Sequence, residues 1–123
     1  MTDPDTADIE TGDALFFHRP QISRIVMRRL RRGRYSVREE IDLHGMTAPE
    51  ARLALHDFIV ECSRNGIGCV RVVHGKGLRS GQRGAVLKAG VNQWLPQWQE
   101  VLAFCSALPR DGGTGAVYVL VAH

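Results

Sequence analysis

The chain has few cysteines and no long apolar run, and each shortage argues against a class of protein. Only three of the 123 residues are cysteine, and no two of them form a Cys-x-x-Cys pair. We therefore interpret them as reduced core residues of a cytoplasmic protein, and not as disulfides, metal ligands or a redox pair. No apolar stretch approaches the roughly 18 residues that span a bilayer, so we expect no membrane partner. The first residues also lack the basic and then apolar pattern of a signal peptide.

Charge is segregated along the chain, although the net charge is only +3. Residues 1–17 carry five acidic side chains and no basic one, residues 18–38 carry eight arginines and no acidic side chain, and residues 39–123 carry eight of each sign. A chain of this length forms about one domain. We therefore predict an acidic disordered tail over 1–17, an arginine-rich helical arm over 18–38 and one globular domain over 39–123. Such an arm suits a polyanion.

Apolar residues recur at helical spacing in three segments. Residues 20–32 present a narrow apolar stripe opposite the arginines, which predicts a helix that docks either on the domain or on a partner. Thr47 and Glu50 have the spacing of a capping box, so a helix is expected from there to about Asn65. A third helix is expected over roughly 84–95, because its apolar residues again follow the helical period.

Four strands are expected between and after the later helices. Their ranges are 39–44, 69–74, 101–107 and 116–121. The order β-α-β-α-β-β, with right-handed crossovers that advance in one direction, places two helices on one face of the sheet. The last strand is nearly all apolar, which suits a central position between the second and third strands and antiparallel to them. We therefore predict an α/β two-layer sandwich with a four-stranded mixed sheet, plus the N-terminal helical arm.

The first and second strands both end in a His-Gly pair, and this repeated ending is the main functional signal. His44-Gly45 and His74-Gly75 are expected on one edge of the sheet, because parallel strands end together and ligands bind at that edge. Asp42 lies two residues before His44 and can orient its imidazole. We expect His44 to act as a general base and His74 as a second acid or base. Taken alone, a histidine at a strand end before glycine is more often structural.

Residues that suit a phosphate surround the two histidines. Lys76 offers a point charge, Thr114 offers a hydroxyl, and glycines permit a close approach of backbone N–H groups. The predicted phosphate-binding residues of the globular domain are Gly45, Gly75, Lys76, Gly77, Arg79, Gly113, Thr114 and Gly115. The sequence is not a Walker A loop, because Gly77 follows Lys76 where Ser or Thr is needed. It is not a dinucleotide-binding loop either, because Ser80 replaces the third glycine.

The arginine arm is the second candidate binding surface. A run of charge is most often a solvated face, but eight arginines without an acidic neighbour favour contact with nucleic acid equally well. The residues predicted to make this contact are Arg28, Arg29, Arg31 and Arg32.

Together these motifs resemble the small MutS-related (Smr) domain family, in particular its bacterial stand-alone members. The resemblance covers about residues 39–123, and the motifs that carry it are Asp42-Leu43-His44-Gly45 with Thr47 and Glu50, His74-Gly75-Lys76-Gly77, and Gly112–Gly115 before an apolar strand. It implies the fold predicted above and endonuclease activity on nucleic acid. It also implies that Asp42 and His44 are the catalytic pair, and that His74, Gly75 and Gly77 belong to the second motif.

The resemblance leaves the substrate and the metal requirement open. We expect an endonuclease that either nicks DNA or cuts RNA, and a monomer. The residues demand no cofactor; if a divalent metal takes part, we expect Mg²⁺ or Mn²⁺ held by Asp42 and His44. The alternative is a non-catalytic module that binds nucleic acid or the ribosome. An enzyme for a small phosphorylated molecule is less favoured, because this edge offers too few apolar residues to shape a cofactor pocket.

Overall fold

The computed structural model describes residues 14–76 and 81–123. The acidic tail as far as residue 13, and Gly77 and Arg79 of the predicted phosphate-binding residues, lie outside the described residues. The strands of the described chain are β1 (Phe16–His18), β2 (Glu39–Asp42), β3 (Cys69–Val73), β4 (Val101–Ser106) and β5 (Ala116–Val121). Its helices are α1 (Arg24–Arg31), α2 (Ala48–Arg64) and α3 (Gly81–Trp94), and short 3₁₀ turns cover Leu95–Gln97, Pro109–Asp111 and Gly113–Gly115.

The strands form one sheet in the order β1-β4-β5-β3-β2. β2 and β3 are parallel, and β5 runs antiparallel to both β3 and β4. All six residues of β5 are buried, so its predicted central position is confirmed. The predicted fold class is also confirmed, but the sheet has five described strands and not four, because β1 pairs antiparallel with β4 at one edge.

β1 is the strand that the sequence interpretation missed, since Phe16 and Phe17 fall in the stretch assigned to a disordered tail. The Phe17 ring stacks on Phe104 with the ring centroids 5.3 Å apart, and the Leu15 N–H donates to Ser106 Oγ at 2.8 Å. Two adjacent aromatic residues favour a strand, but three residues are too few to reveal an alternating pattern beside an acidic stretch. The tail prediction is therefore wrong for residues 14–17.

Helices α2 and α3 cover one face of the sheet, as predicted. Leu55 and Ile59 of α2 and Leu87 and Val91 of α3 lie in one buried cluster with the inward residues of β3 and β5. This cluster is the main core and fixes the two helices relative to the strand ends. The ends of α2 and α3 that follow the His-Gly loops are therefore held on the same edge of the sheet.

The start of α2 is fixed by the predicted capping box. The Glu50 N–H donates to Thr47 Oγ1 at 3.3 Å, and the Thr47 N–H donates to Glu50 Oε1 at 3.0 Å. The two bonds satisfy donors that would otherwise lack a partner at the first turn of a helix. They also fix where the chain leaves the loop at His44 and Gly45.

Helix α1 packs on the opposite face of the sheet. Met27 and Leu30 are buried in a second cluster with Cys105 and Tyr118. Successive side chains of a strand point to opposite faces of the sheet. β5 therefore contributes side chains to both clusters, and α1 packs on the face that α2 and α3 leave open. Of the two predicted roles for the arm, docking on the domain is the one observed. The helix begins after Ser23, whose Oγ accepts from the Val26 N–H at 3.2 Å.

The three cysteines are buried and free, in agreement with their predicted core role. Burial raises the pKa of Cys69 to about 11 and that of Cys105 to about 12, so both are protonated thiols at neutral pH. In the described ranges, no helix is both long enough and apolar enough to cross a bilayer.

Candidate functional site

The first strand end holds the Asp42–His44 pair in a tight turn. Asp42 is the last residue of β2, and its Oδ1 accepts from the His44 N–H at 3.0 Å and lies 2.9 Å from His44 Nδ1. The prediction placed both residues on the strand, but the strand ends at Asp42. It ends there because the Asp42 carboxylate accepts from the His44 N–H and the chain turns through Gly45 (φ 85°). With Nδ1–H donating to Asp42, the lone pair of a neutral His44 lies on Nε2.

The carboxylate of Asp42 is ionised at neutral pH. Partial burial raises the pKa of Asp42, but hydrogen bonds from the His44 N–H and ring, with the charge of Arg71, outweigh this effect and hold the pKa below its usual value. The His44 side chain is 73% exposed. The pair is therefore an accessible imidazole oriented by a carboxylate, which is the arrangement of a general base with its positioning partner.

The second strand end holds His74 in a very different environment. His74 is fully buried, its N–H donates to Gly115 O at 2.9 Å, and its Nδ1 lies 2.6 Å from Gly75 O. A carbonyl oxygen only accepts, so Nδ1 carries the proton and Nε2 is an acceptor. Nε2 has no hydrogen-bond partner among the described residues.

His74 is neutral at neutral pH. Burial lowers the pKa of His74 from its ordinary 6.5 to about 4; the hydrogen bond to Gly75 O opposes this shift, and the charge of Lys88 adds to it. A neutral ring with Nδ1–H committed to a carbonyl cannot donate from Nε2. The predicted role of His74 as a second acid or base does not fit this geometry, because Nδ1–H is bonded to Gly75 O and Nε2 is buried.

Both histidines line one cleft of about 150 Å³. The residues around it are His44, Gly45, His74, Arg83, Gly84 and Leu87. Arg83 donates from its guanidinium to Gly45 O at 2.8 Å, so the first turns of α3 are tied to the loop of the first motif. The expected meeting of the two His-Gly ends at one edge is thus seen in the geometry.

The sequence interpretation missed the contribution of α3 to this cleft. Arg83 and Leu87 are one helical turn apart, as are Gly84 and Lys88, and Lys88 is also buried. The predicted helix began at residue 84 and left Arg83 in the preceding loop. A helix start three residues earlier, at Gly81, would have placed Arg83 on the face that looks toward the strand ends.

The turn at Gly112–Gly115 does meet the second motif, but not through free amides. Gly115 O accepts from both the His74 and Gly75 N–H groups, and a Cβ built on Gly115 would lie 3.0 Å from Lys76 Cγ. The N–H of Gly113 donates to Leu108 O, and that of Gly115 donates to Gly112 O. The N–H groups of Gly75, Gly113 and Gly115 therefore bond within the protein and do not offer themselves to a phosphate, which corrects that part of the prediction.

The remaining predicted residues lie at different distances from the cleft. Lys76 is exposed beside Gly75, and Thr114 is half-buried in the turn before β5. Arg28, Arg29, Arg31 and Arg32 are all exposed and lie on or beside α1, on the opposite face of the sheet from α3. They do not line the cleft. Arg19 is structural, because its guanidinium donates to the carbonyls of Pro96, Trp98 and Val101.

The donor set around the cleft fits a resident metal poorly. Asp42 and His44 offer two ligands, and His44 Nδ1 is already hydrogen-bonded to Asp42. Within residues 14–76 and 81–123 there is no group of three or more His, Cys, Asp or Glu side chains that could hold a metal ion. A magnesium ion is usually held by one or two carboxylates together with substrate phosphates, and Asp42 is the one carboxylate of this pair, so the proposed reaction uses no metal.

Comparisons with known proteins place this geometry among related chains. The family model described as the Smr domain matches residues 41–122. The "Ribosome rescue factor SmrB" of Yersinia enterocolitica is 37% identical over 113 residues, which cover 92% of this chain and 61% of that protein. The "Probable DNA endonuclease SmrA" of Escherichia coli is 32% identical over 111 residues, which cover 90% of this chain and 59% of that protein. The chain thus spans about 60% of the length of these relatives.

Two solved structures have the same fold. YdaL, a stand-alone small MutS-related protein from Escherichia coli, superposes with a TM-score of 0.79 at 31% identity over 90% of this chain and 85% of that one. The Smr domain of Thermus thermophilus MutS2 gives a TM-score of 0.62 at 29% identity over 70% of this chain and all of that one. The higher coverage by YdaL indicates that the likeness extends beyond the sheet and its two main helices.

Proposed function

Since the chain belongs to the Smr domain family, we propose that it is an endonuclease that cleaves a phosphodiester bond of nucleic acid at the cleft between His44 and His74. The single observation that carries this proposal is the exposed imidazole of His44, oriented by an ionised Asp42, on the cleft that the second motif also lines. A general base needs this combination of access and orientation.

The cleft offers few ligands for a metal ion, and this favours RNA as the substrate. A ribose 2′-hydroxyl can attack the phosphorus without a metal. In this reaction Nε2 of His44 takes the proton of the 2′-hydroxyl, and O2′ forms a bond to phosphorus. The bond from phosphorus to O5′ breaks, and the leaving O5′ takes a proton from water. The hydroxide that remains takes the proton held by His44, which restores the neutral imidazole. The products are a 2′,3′-cyclic phosphate and a 5′-hydroxyl, so atoms and charge balance without a further reactant.

The cationic side chains near the cleft are suited to the charge that develops on the phosphate. Arg83 is held by Gly45 O, and Lys76 is exposed beside the second motif. A positive group at the cleft attracts the phosphate both before and during the reaction, so we expect these side chains to act mainly in binding. We assign substrate contact to these two side chains, whereas His74, which is fully buried, supports the wall of the cleft.

An Asp42→Ala/His44→Ala double variant tests the proposal. Incubated with labelled RNA and DNA, it should cleave at least about 100-fold more slowly than the unchanged chain, because general base catalysis typically contributes 10²–10⁴-fold. His56→Ala is the matched control, since His56 packs on Trp98 at 4.9 Å between ring centroids, away from the cleft. A double variant that cleaves at the original rate would rule the proposal out.

A second candidate is a non-catalytic module that binds the ribosome, and the name of the SmrB relatives, ribosome rescue factor, favours an association with ribosomes. It predicts association with ribosomes that weakens steeply with salt, together with no cleavage of any oligonucleotide by the unchanged chain. Sedimentation with ribosomes at two salt concentrations, beside the cleavage assay, separates the two candidates.

A further inference from the structure

A groove lies between β1 and α1, on the face of the sheet opposite to α2 and α3. Its volume is about 190 Å³, and it is lined by Phe16, His18, Arg24, Met27, Arg28 and Arg31. We call it the Phe16 groove. It is separate from the cleft at His44, and only Arg28 and Arg31 of its residues were among the predicted nucleic-acid contacts.

The aromatic part of the groove is unusually open. Phe16 is 53% exposed, whereas its neighbour Phe17 packs on the core ring of Phe104. The His18 ring meets Phe16 edge to face, with 5.7 Å between the centroids and 84° between the planes. A single exposed apolar residue is ordinary. The exposure of Phe16 indicates a binding site only in combination with the residues around it.

Three arginines of α1 border the same groove. Arg24, Arg28 and Arg31 follow the i, i+4, i+7 spacing of one helix face, and all three are exposed. In the part of the chain that the structure describes, none of them forms an ion pair and no acidic side chain lines the groove. Like charges one turn apart repel each other, and an anion between them relieves that repulsion.

We propose that the Phe16 groove binds one nucleotide of a single-stranded nucleic acid, with the base stacked on Phe16 and the adjoining phosphates on Arg24, Arg28 and Arg31. An aromatic face beside arginines is how proteins hold single strands without reading their sequence. An acidic protein segment would pair with the arginines but would gain little from a flat ring. A duplex has no free base to stack. The combination therefore selects a single strand.

The groove is placed to hold a strand that also reaches the cleft. Strand pairing runs across the sheet through Phe16, Cys105, Tyr118, Arg71 and Glu40, and Asp42 lies two residues beyond Glu40. Four steps of about 4.8 Å put the two edges about 19 Å apart. Because the groove and the cleft lie on opposite faces of the sheet, a strand that occupies both must be longer than this span. The link between the groove and the cleft rests on the proposed nuclease activity, whereas binding in the groove does not.

Binding is best measured by fluorescence anisotropy with the full chain carrying His44→Ala, so that the labelled oligonucleotide stays intact. In that background Phe16→Ala should weaken binding of a single-stranded oligonucleotide by about fivefold or more, because base stacking on an aromatic side chain contributes at least that factor. Binding of the matching duplex should change less than twofold. Phe16→Leu keeps the apolar bulk and loses the aromatic face, so it should behave like Phe16→Ala. Phe16→Trp should bind as well as the parent.

The contribution of the arginines is measured by the salt dependence of binding. Arg28→Gln should lower the slope of log affinity against log salt by about 0.7, the value for one phosphate contact on a single strand. Leu53→Ala and Arg52→Gln are the matched controls on α2, where Leu53 is 65% exposed and Arg52 is exposed. Both should leave the affinity and the salt slope unchanged.

The outcomes separate this proposal from the nuclease proposal. If Phe16→Leu and Phe16→Ala bind like the parent while Arg28→Gln binds less, the arginines act only as charge, as for an acidic protein partner, and the stacking site is overturned. If Leu53→Ala loses as much affinity as Phe16→Ala, the site is overturned as well. If the unchanged chain cleaves nothing but the Phe16 variants lose affinity, the groove stands and the nuclease proposal fails.

Discussion

The loop at His44-Gly45 and the loop at His74-Gly75 start with the same two residues, but the surroundings of their histidines are opposite. His44 is exposed and its Nδ1 faces a carboxylate. His74 is fully buried and its Nδ1 faces the carbonyl of Gly75. Both rings are oriented through Nδ1, so both direct Nε2 away from the chain that orients them.

The difference between the two loops shows how a shared motif acquires separate tasks. The exposed ring of His44 is held through Nδ1 by Asp42 and presents Nε2 to a substrate, as a general base does. Burial without an anionic partner keeps His74 neutral, with its Nδ1–H bonded to Gly75 O and its Nε2 buried. We infer that the first loop carries the chemistry and that the second holds the substrate. Four predictions test this division, in order of the expected size of effect.

Loss of the His44 imidazole should have the largest effect. His44→Ala should lower the rate of cleavage by about 10²–10⁴-fold and leave oligonucleotide affinity within about twofold, because the side chain is exposed. The rate is measured under single turnover, and affinity is measured separately by anisotropy. A variant that loses affinity and keeps its rate would show that His44 binds and does not act as the base.

The second prediction concerns the burial of His74 and the pH dependence of stability. Its pKa is 6.5 ordinarily and about 4 in the fold, so the unfolded chain binds the proton more readily between these values. The neutral His74 ring makes its full contribution to the free energy of unfolding above pH 6.5. This contribution is lost as the pH falls toward 4, by about 3 kcal/mol in total.

His74→Asn removes that titration. Denaturant unfolding of the parent and of His74→Asn at several values of pH should show the parent losing more stability in acid than the variant. His56→Asn, which removes a histidine from α2, should retain the behaviour of the parent. Equal losses in the parent and in His74→Asn would show that the buried ring is not kept neutral.

Removal of the Asp42 charge should have an intermediate effect. Asp42→Asn keeps an oxygen that can accept the His44 N–H, but it removes the carboxylate that fixes the ring through Nδ1. The rate of cleavage should fall by about 10–100-fold, which is less than the loss of the general base itself. The rate is measured under single turnover beside that of His44→Ala. An unchanged rate would argue that Asp42 only shapes the turn.

Loss of the tie between α3 and the first loop should have the smallest effect. Arg83→Gln removes the bond to Gly45 O and one positive charge from the cleft, and it should raise KM more than it lowers kcat, by about tenfold or less. Arg52→Gln on α2 removes a charge elsewhere and serves as the control. A larger fall in kcat than in affinity would move Arg83 from substrate contact into the reaction itself.

Local sequence rules were enough to predict much of this fold. The Thr47–Glu50 capping box and the all-apolar β5 each follow from neighbouring residues, and the structure has both. The convergence of the two His-Gly ends followed from the order of the strands. β1 was missed because its pairing with β4 joins residues about 90 positions apart, and no local pattern records such a contact.

The same limit explains what was missed at the candidate site. The burial of His74 depends on Gly115 and α3, which are distant in sequence, so its neutral state was not visible in the motif. The amides of Gly75, Gly113 and Gly115 looked available, but their acceptors lie in a turn whose geometry the sequence does not specify. Exposed Phe16 became notable only when α1 was seen to bring three arginines beside it.

The central claim is that His44 initiates cleavage of RNA, and the most direct measurement is to map the product ends. An RNA oligonucleotide and a copy with one 2′-deoxy residue at the cut site are incubated with the unchanged chain and with His44→Ala, in the presence of a chelator. We predict a 2′,3′-cyclic phosphate and a 5′-hydroxyl from the RNA, no cut in the 2′-deoxy copy, and no products from His44→Ala. Equal cutting of both oligonucleotides, or 5′-phosphate ends, would contradict the account.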